Sequence, residues 1–167
     1  MLIQKGRGVW EQEEGTRFLV VDLDVFSRQR LTALATALDT AKVRGGSVSV
    51  LYEGRWGHRY SAHVEINHWP DSPADRQIQG LIAIIKKLPQ QARALWDGAQ
   101  SREFNIGIAA ERTPRLREFK LSRRTIALVV ELRATIAITV YAPEAWPAAR
   151  APRRAKVRNG RLRKTRR

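Results

Sequence analysis

Two hydrophobic periods take turns along the chain. Arg17–Phe26, RFLVVDLDVF, reads with period two. Leu19, Val21, Leu23 and Val25 fall on one side, and Val20, Asp22, Asp24 and Phe26 on the other, the signature of a strand with one covered and one uncovered face. Ser47–Tyr52, Tyr60–Asn67, Phe104–Ala110 and Thr135–Tyr141 predict four more strands. In these, Ala62, Val64 and Ile66 oppose His63 and Glu65. Ile106 and Ile108 oppose Asn105 and Gly107, and Ile136, Ile138 and Val140 oppose Thr135, Ala137, Thr139 and Tyr141. Gly54 and Gly57 mark a hairpin between the second and third strands.

Between strands the period lengthens to that of a helix. Leu31, Leu34, Ala35 and Leu38 form one stripe over Arg28–Asp39, with Ser27 as the predicted N-cap. Pro70, Ser72 and Pro73 open a long second helix with Ile78, Leu81, Ile82, Ile85 and Leu88 on one face. Pro89 breaks or re-aims it, because proline has no N–H and clashes with the preceding turn; Ala92, Leu95 and Trp96 continue the buried side. Ser122 caps a third helix to about Arg133, bearing Ile126, Val129 and Val130.

The order is β-α-β-β-α-β-α-β. Phe26-Ser27-Arg28-Gln29 and Leu121-Ser122-Arg123-Arg124 open the first and third helices in similar ways, and each helix leads to a strand ending in tyrosine. The echo suggests two pseudo-duplicated strand–helix–strand halves. The expected fold is an α+β two-layer sandwich: one mainly antiparallel sheet of about five strands, with helices on one face. Residues 1–16 are expected to be a flexible lead-in, 17–147 a single α+β domain, and 148–167 a disordered basic tail.

Composition narrows the function. No apolar run approaches the ~20 residues of a membrane span. The N-terminal stretch lacks the apolar core of a secretion signal. The absence of cysteine excludes disulfides, thiol catalysis and cysteine-ligated zinc, and makes the cytoplasm the expected compartment. The formal net charge is +15, unevenly spread: ten of the 31 Lys/Arg lie in 148–167 with no acid among them, and the other 21 against 16 acids leave residues 1–147 at +5.

Asp22 and Asp24 therefore face away from the core, in the company of His63, Glu65, Asn105, Thr139 and Tyr141. Three carboxylates gathered in an arginine-rich chain can take a basic partner. An Asp-x-Asp pair on one strand face spaces its oxygens ~7 Å apart and can also hold a metal. The remaining reading is a solvated face with cross-strand ion pairs. His58, His63 and His68 are five apart, an odd step that changes face, so no metal site is expected. No phosphate-binding glycine loop occurs, and no nucleophile elbow surrounds Ser27 or Ser122. Trp56 and Trp69 are either partner anchors or loop-edge packing. No catalytic set and no cofactor are expected; a metal-dependent hydrolase at Asp22, Asp24, Glu65 and His63 is the enzymatic alternative.

In the tail, Arg153, Arg154, Lys156, Arg158, Arg161, Arg163, Lys164, Arg166 and Arg167 are candidates for nucleic-acid contact, non-specific and salt-sensitive because no aromatic is present for base stacking. A solvated extension is the other reading. Arg112, Arg115, Arg117, Lys120, Arg123 and Arg124 in the last connector can extend the basic patch.

Leu121, Ser122, Thr125, Ile126 and Tyr141, in the segment from Phe104 to Tyr141, carry a resemblance to the C-terminal half of a family of small bacterial α+β domains of unknown function. There a strand leads to a Leu-Ser-x-x-Thr-hydrophobic helix start, and a short strand ends in tyrosine. Similar domains occur among immunity and accessory factors. The resemblance implies the fold and brings no catalytic residue. The functional expectation is a non-enzymatic binding domain that engages a protein partner through the open sheet face or the hairpin. The alternative is a nucleic-acid-associated accessory protein that uses the tail.

Overall fold

Residues 15–43, 46–67, 72–111 and 116–142 are described by a computed structural model. At its centre is β1 (Arg17–Ser27), paired antiparallel with β4 (Arg59–Asn67) on one edge and with β5 (Ser101–Ala109) on the other. β3 (Gly46–Trp56) pairs with β4 across the turn at Gly57, whose φ of 61° is the left-handed conformation that glycine adopts without strain. The two-residue β2 (Lys42–Val43) lies outside β3, and β6 (Thr135–Tyr141) runs parallel to β5 at the opposite edge. The sheet order is β2-β3-β4-β1-β5-β6.

One face of this mixed sheet carries the helices α1 (Thr32–Asp39), α2 (Ala74–Ile85), α3 (Gln90–Asp97) and α4 (Arg123–Glu131). Val21, Leu23, Val25, Val64 and Phe104 from the sheet meet Leu34, Leu38, Ile78, Leu81, Ile85 and Trp96 from the helices, all buried. The expected α+β sandwich is the observed one, with the short β2 added. No helix among the described residues is long and apolar enough to cross a membrane.

Several local expectations need correction. Ser27 does not cap α1. It ends β1, and its hydroxyl accepts from the Gln29 N–H (3.0 Å), closing a turn that delays the helix to Thr32. Pro89 divides the second helix and becomes the N-cap of α3. Ser122 does cap α4, accepting from the Thr125 N–H at 3.2 Å. The two halves are not equivalent: β5-α4-β6 joins neighbouring parallel strands, whereas β4 separates β1 from β3. Leu19, expected in the core, is 40% exposed, because an irregularity between Phe18 and Val21 reverses the alternation there. The N–H of Val21 is instead taken by Gln77 Oε1 of α2 at 3.0 Å. Ile126, Val130, Ile138 and Val140, expected to be covered, are exposed.

Polar groups inside the helical layer are tied down. Asp75, at the start of α2, accepts from the Ser122 N–H (2.7 Å), and Gln79 bridges Asp75 and Thr125. Burial raises the Asp75 pKa, but the Ser122 N–H and the Thr125, Ser122 and Gln79 side chains outweigh it and hold the carboxyl below its ordinary value. Arg102 of β5 turns into the core and is only 6% exposed. Its guanidinium donates to the carbonyls of Trp96 (2.7 Å), Asp97 (2.7 Å), Ala99 (3.0 Å) and Arg133 (3.4 Å), joining the end of α3 to the turn after α4. Burial holds its pKa below the ordinary arginine value, partly offset by Asp97.

Arg102→Leu orphans these buried carbonyls and should cost about 3 kcal/mol, a fall in thermal midpoint of about 10 °C read by circular dichroism. Arg102→Lys should recover only part of the loss, since one ammonium cannot reproduce the fork. A midpoint unchanged in Arg102→Leu refutes this role.

Candidate functional site

The face of the sheet away from the helices gathers the polar members of each strand. Directly opposed residues of a paired strand share a face. Asp22 is flanked by Glu65 on β4 and Asn105 on β5, and Asp24 by His63 and Glu103. Four carboxylates thus occupy adjoining positions on the three central strands, all half-buried. Asp24 Oδ1 meets His63 Nδ1 at 2.6 Å. On the far side, Thr139 Oγ1 of β6 donates to Asn105 Oδ1 at 2.8 Å.

Asp22 registers this crowding. Burial pushes its pKa from 3.8 up to about 6, the neighbouring Asp24 and Glu65 charges push the same way, and His63 offsets part of the rise. The carboxylate pays for its surroundings only when ionised.

Beside the acids is an aromatic cluster. An irregularity between Val50 and Tyr52 leaves Leu51 60% exposed and brings Tyr52 onto the uncovered face opposite His63. Rings of Phe26, Tyr52 and Trp56 surround the His63 imidazole at centroid distances of 5.8, 5.8 and 6.3 Å. The Arg59 guanidinium lies 4.0 Å above the Phe26 ring. Gly54 makes room for Tyr52: a Cβ there would lie 2.8 Å from the tyrosine hydroxyl, which donates to the Arg55 carbonyl at 3.0 Å. Trp56 remains 60% exposed at the cluster's rim.

The structure brings Asp22, Asp24, His63, Glu65, Asn105, Thr139 and Trp56 onto one face, with Tyr141 at its β6 end opposite Ala109. Trp69, His68 and all the tail arginines and lysines lie outside the described residues. Sequence reasoning left out Glu103, because the strand was expected to begin at Phe104. It also left out Tyr52, whose facing depends on the irregularity at Leu51, and gave Phe26 and Arg59 no role.

The arrangement sets carboxylates beside aromatic rings on one face of the sheet. The Asp24–His63 pair has the geometry of an acid–base dyad, but the neighbouring Ser61 is fully buried and its hydroxyl makes no hydrogen bond. Among the described residues no three His, Asp or Glu side chains are placed to hold a metal ion. A cleft of about 620 Å³ opens on the helical side, between Phe18, Gln77, Ile108, Phe119 and Ile138, remote from the acidic block. Comparison with protein-family models, curated proteins and solved structures finds no match to this chain.

Asp22 yields a pH test. Its folded pKa lies above the unfolded one, so the stability tied to its proton is fully present below pH 3.8 and lost as pH rises through about 6. Asp22→Asn should therefore stabilise the protein at pH 8, by about 1 kcal/mol after allowance for solvent screening, and by much less at pH 4.5. Equal gains in thermal midpoint at both pH values contradict this account.

Proposed function

We propose that this protein is a binding domain whose uncovered sheet face receives a basic segment of a protein partner, as an immunity or accessory factor would. The observation that carries the reading is the block Asp22, Asp24, Glu65 and Glu103, with the exposed Trp56 and the half-exposed Tyr52 alongside. Arginine answers both features, donating to carboxylates and stacking on aromatic rings. The raised Asp22 pKa supports it, since an arriving cation relieves the repulsion between these acids.

A short Arg/Lys-rich peptide is the probe, followed by Trp fluorescence or calorimetry on the full chain. Binding should weaken between 50 and 300 mM salt and as pH falls from 7.5 to 5, where Asp22 takes up its proton. The double variant Asp22→Asn, Glu65→Gln should bind about tenfold less tightly at pH 7.5 and lose most of the pH dependence. A Glu-rich peptide that binds as well, or a double variant that binds as the wild type does, overturns the proposal.

The ten Lys/Arg of residues 148–167 favour a second reading, association with nucleic acid. Its test is a salt titration of the full chain against one ending at Pro147, on DNA and on RNA. Identical binding at low salt removes it.

A further inference from the structure

The two edges of the sheet are built differently. At one edge β2 is only two residues long and carries Lys42, and β3 bulges at Leu51. Short strands, lysine and bulges are the devices by which edges avoid pairing with other chains. At the other edge β6, Thr-Ile-Ala-Ile-Thr-Val-Tyr, has seven residues, no charge, no proline and no register irregularity against β5. Among the described residues no strand pairs with its outer side. Ile138 and Val140, on its helical side, are 64% and 60% exposed.

The helix above extends this surface. α4 turns Thr125, Val129 and Leu132 inward, and Thr125 and Glu131 contact α2 through Gln79 and Lys86. Ile126 and Val130, one turn apart, lie round the helix from that contact and face away from α2, on a helix that also touches β6. They are 47% and 68% exposed.

We infer that a second copy of this chain covers the surface, with β6 pairing antiparallel to its symmetry mate and α4 packing on α4 across the same two-fold axis. The strand is self-complementary. Pairing centred on Ile138 sets Ile136 against Val140 of the other copy, Ala137 against Thr139 and Thr135 against Tyr141, with no like charges opposed. The four exposed aliphatic side chains expose on the order of 400 Å² per copy, and the strand edge adds its backbone, approaching the ~800 Å² per partner of a stable interface. The dimer joins two six-stranded sheets into one and turns both acidic faces to the same side.

Sedimentation velocity on the full chain tests this from 1 to 100 µM. A species of twice the 19.0 kDa protomer mass is expected. Ile126→Glu and Val130→Glu, on the helix surface, should raise the dimer dissociation constant at least tenfold with unchanged far-UV circular dichroism. Val140→Lys should do the same at the strand edge. A monomer throughout that range overturns the inference, as does a dimer insensitive to all three substitutions, or open-ended assembly in place of a closed pair. None of these outcomes depends on what the acidic face binds.

Discussion

Pairing on both edges of β1 governs the rest of the structure. A strand held by β4 and β5 can only present its side chains up and down, and Val21, Leu23 and Val25 must go to the side where helices can cover them. Asp22 and Asp24 are then committed to the opposite face. Their neighbours are committed too, because cross-strand partners share a face: Glu65, His63, Asn105 and Glu103 follow from the register alone. The acidic block is a geometric result of burying three aliphatic residues. Its cost shows in Asp22, whose proton affinity is raised.

The aromatic cluster gives that face a second character. His63 bridges the two, fixed by Asp24 through one ring nitrogen and enclosed by Phe26, Tyr52 and Trp56. Fixed rings lose little conformational freedom when a partner arrives, which favours recognition. Arg59 over Phe26 is a local instance of the contact that an incoming arginine would make. This face pairs its aromatic rings with carboxylates, whereas the charged residues lining the cleft on the helical side are mainly basic: Arg17, Arg117 and Lys120 against Glu118.

Alternation made most of the fold legible. The period-two pattern of strands β1, β4, β5 and β6 and the stripe of α2 each have one dominant reading, and the helix break at Pro89 and the cap at Ser122 follow from backbone chemistry. What the sequence concealed was local phase. Leu19 and Tyr52 continue a regular pattern in the amino-acid string, yet each follows or precedes a ladder irregularity that changes its face, and nothing in residue type marks the spot. Ser27 concealed its role differently, since a serine before a helical stripe can cap the helix or close a turn, and here it does the latter. Arg102 was hidden because a charged residue in a strand suggests solvent, whereas this one reaches four carbonyls that exist only once α3 and α4 have docked. The acidic face was readable from Asp22, Asp24, His63 and Glu65; its aromatic half was not.

The extra residue at Leu51 works like a frameshift in a two-letter code. Before it, Val48 and Val50 of β3 point to the helices; after it, Tyr52, Gly54 and Trp56 take the uncovered side. Pairing that position regularly, Leu51 against His63, would instead turn the tyrosine and tryptophan under the helical layer and bring Glu53 and Arg55 to the uncovered side. The aromatic half of the uncovered face therefore depends on where the ladder skips a residue, independent of that residue's identity.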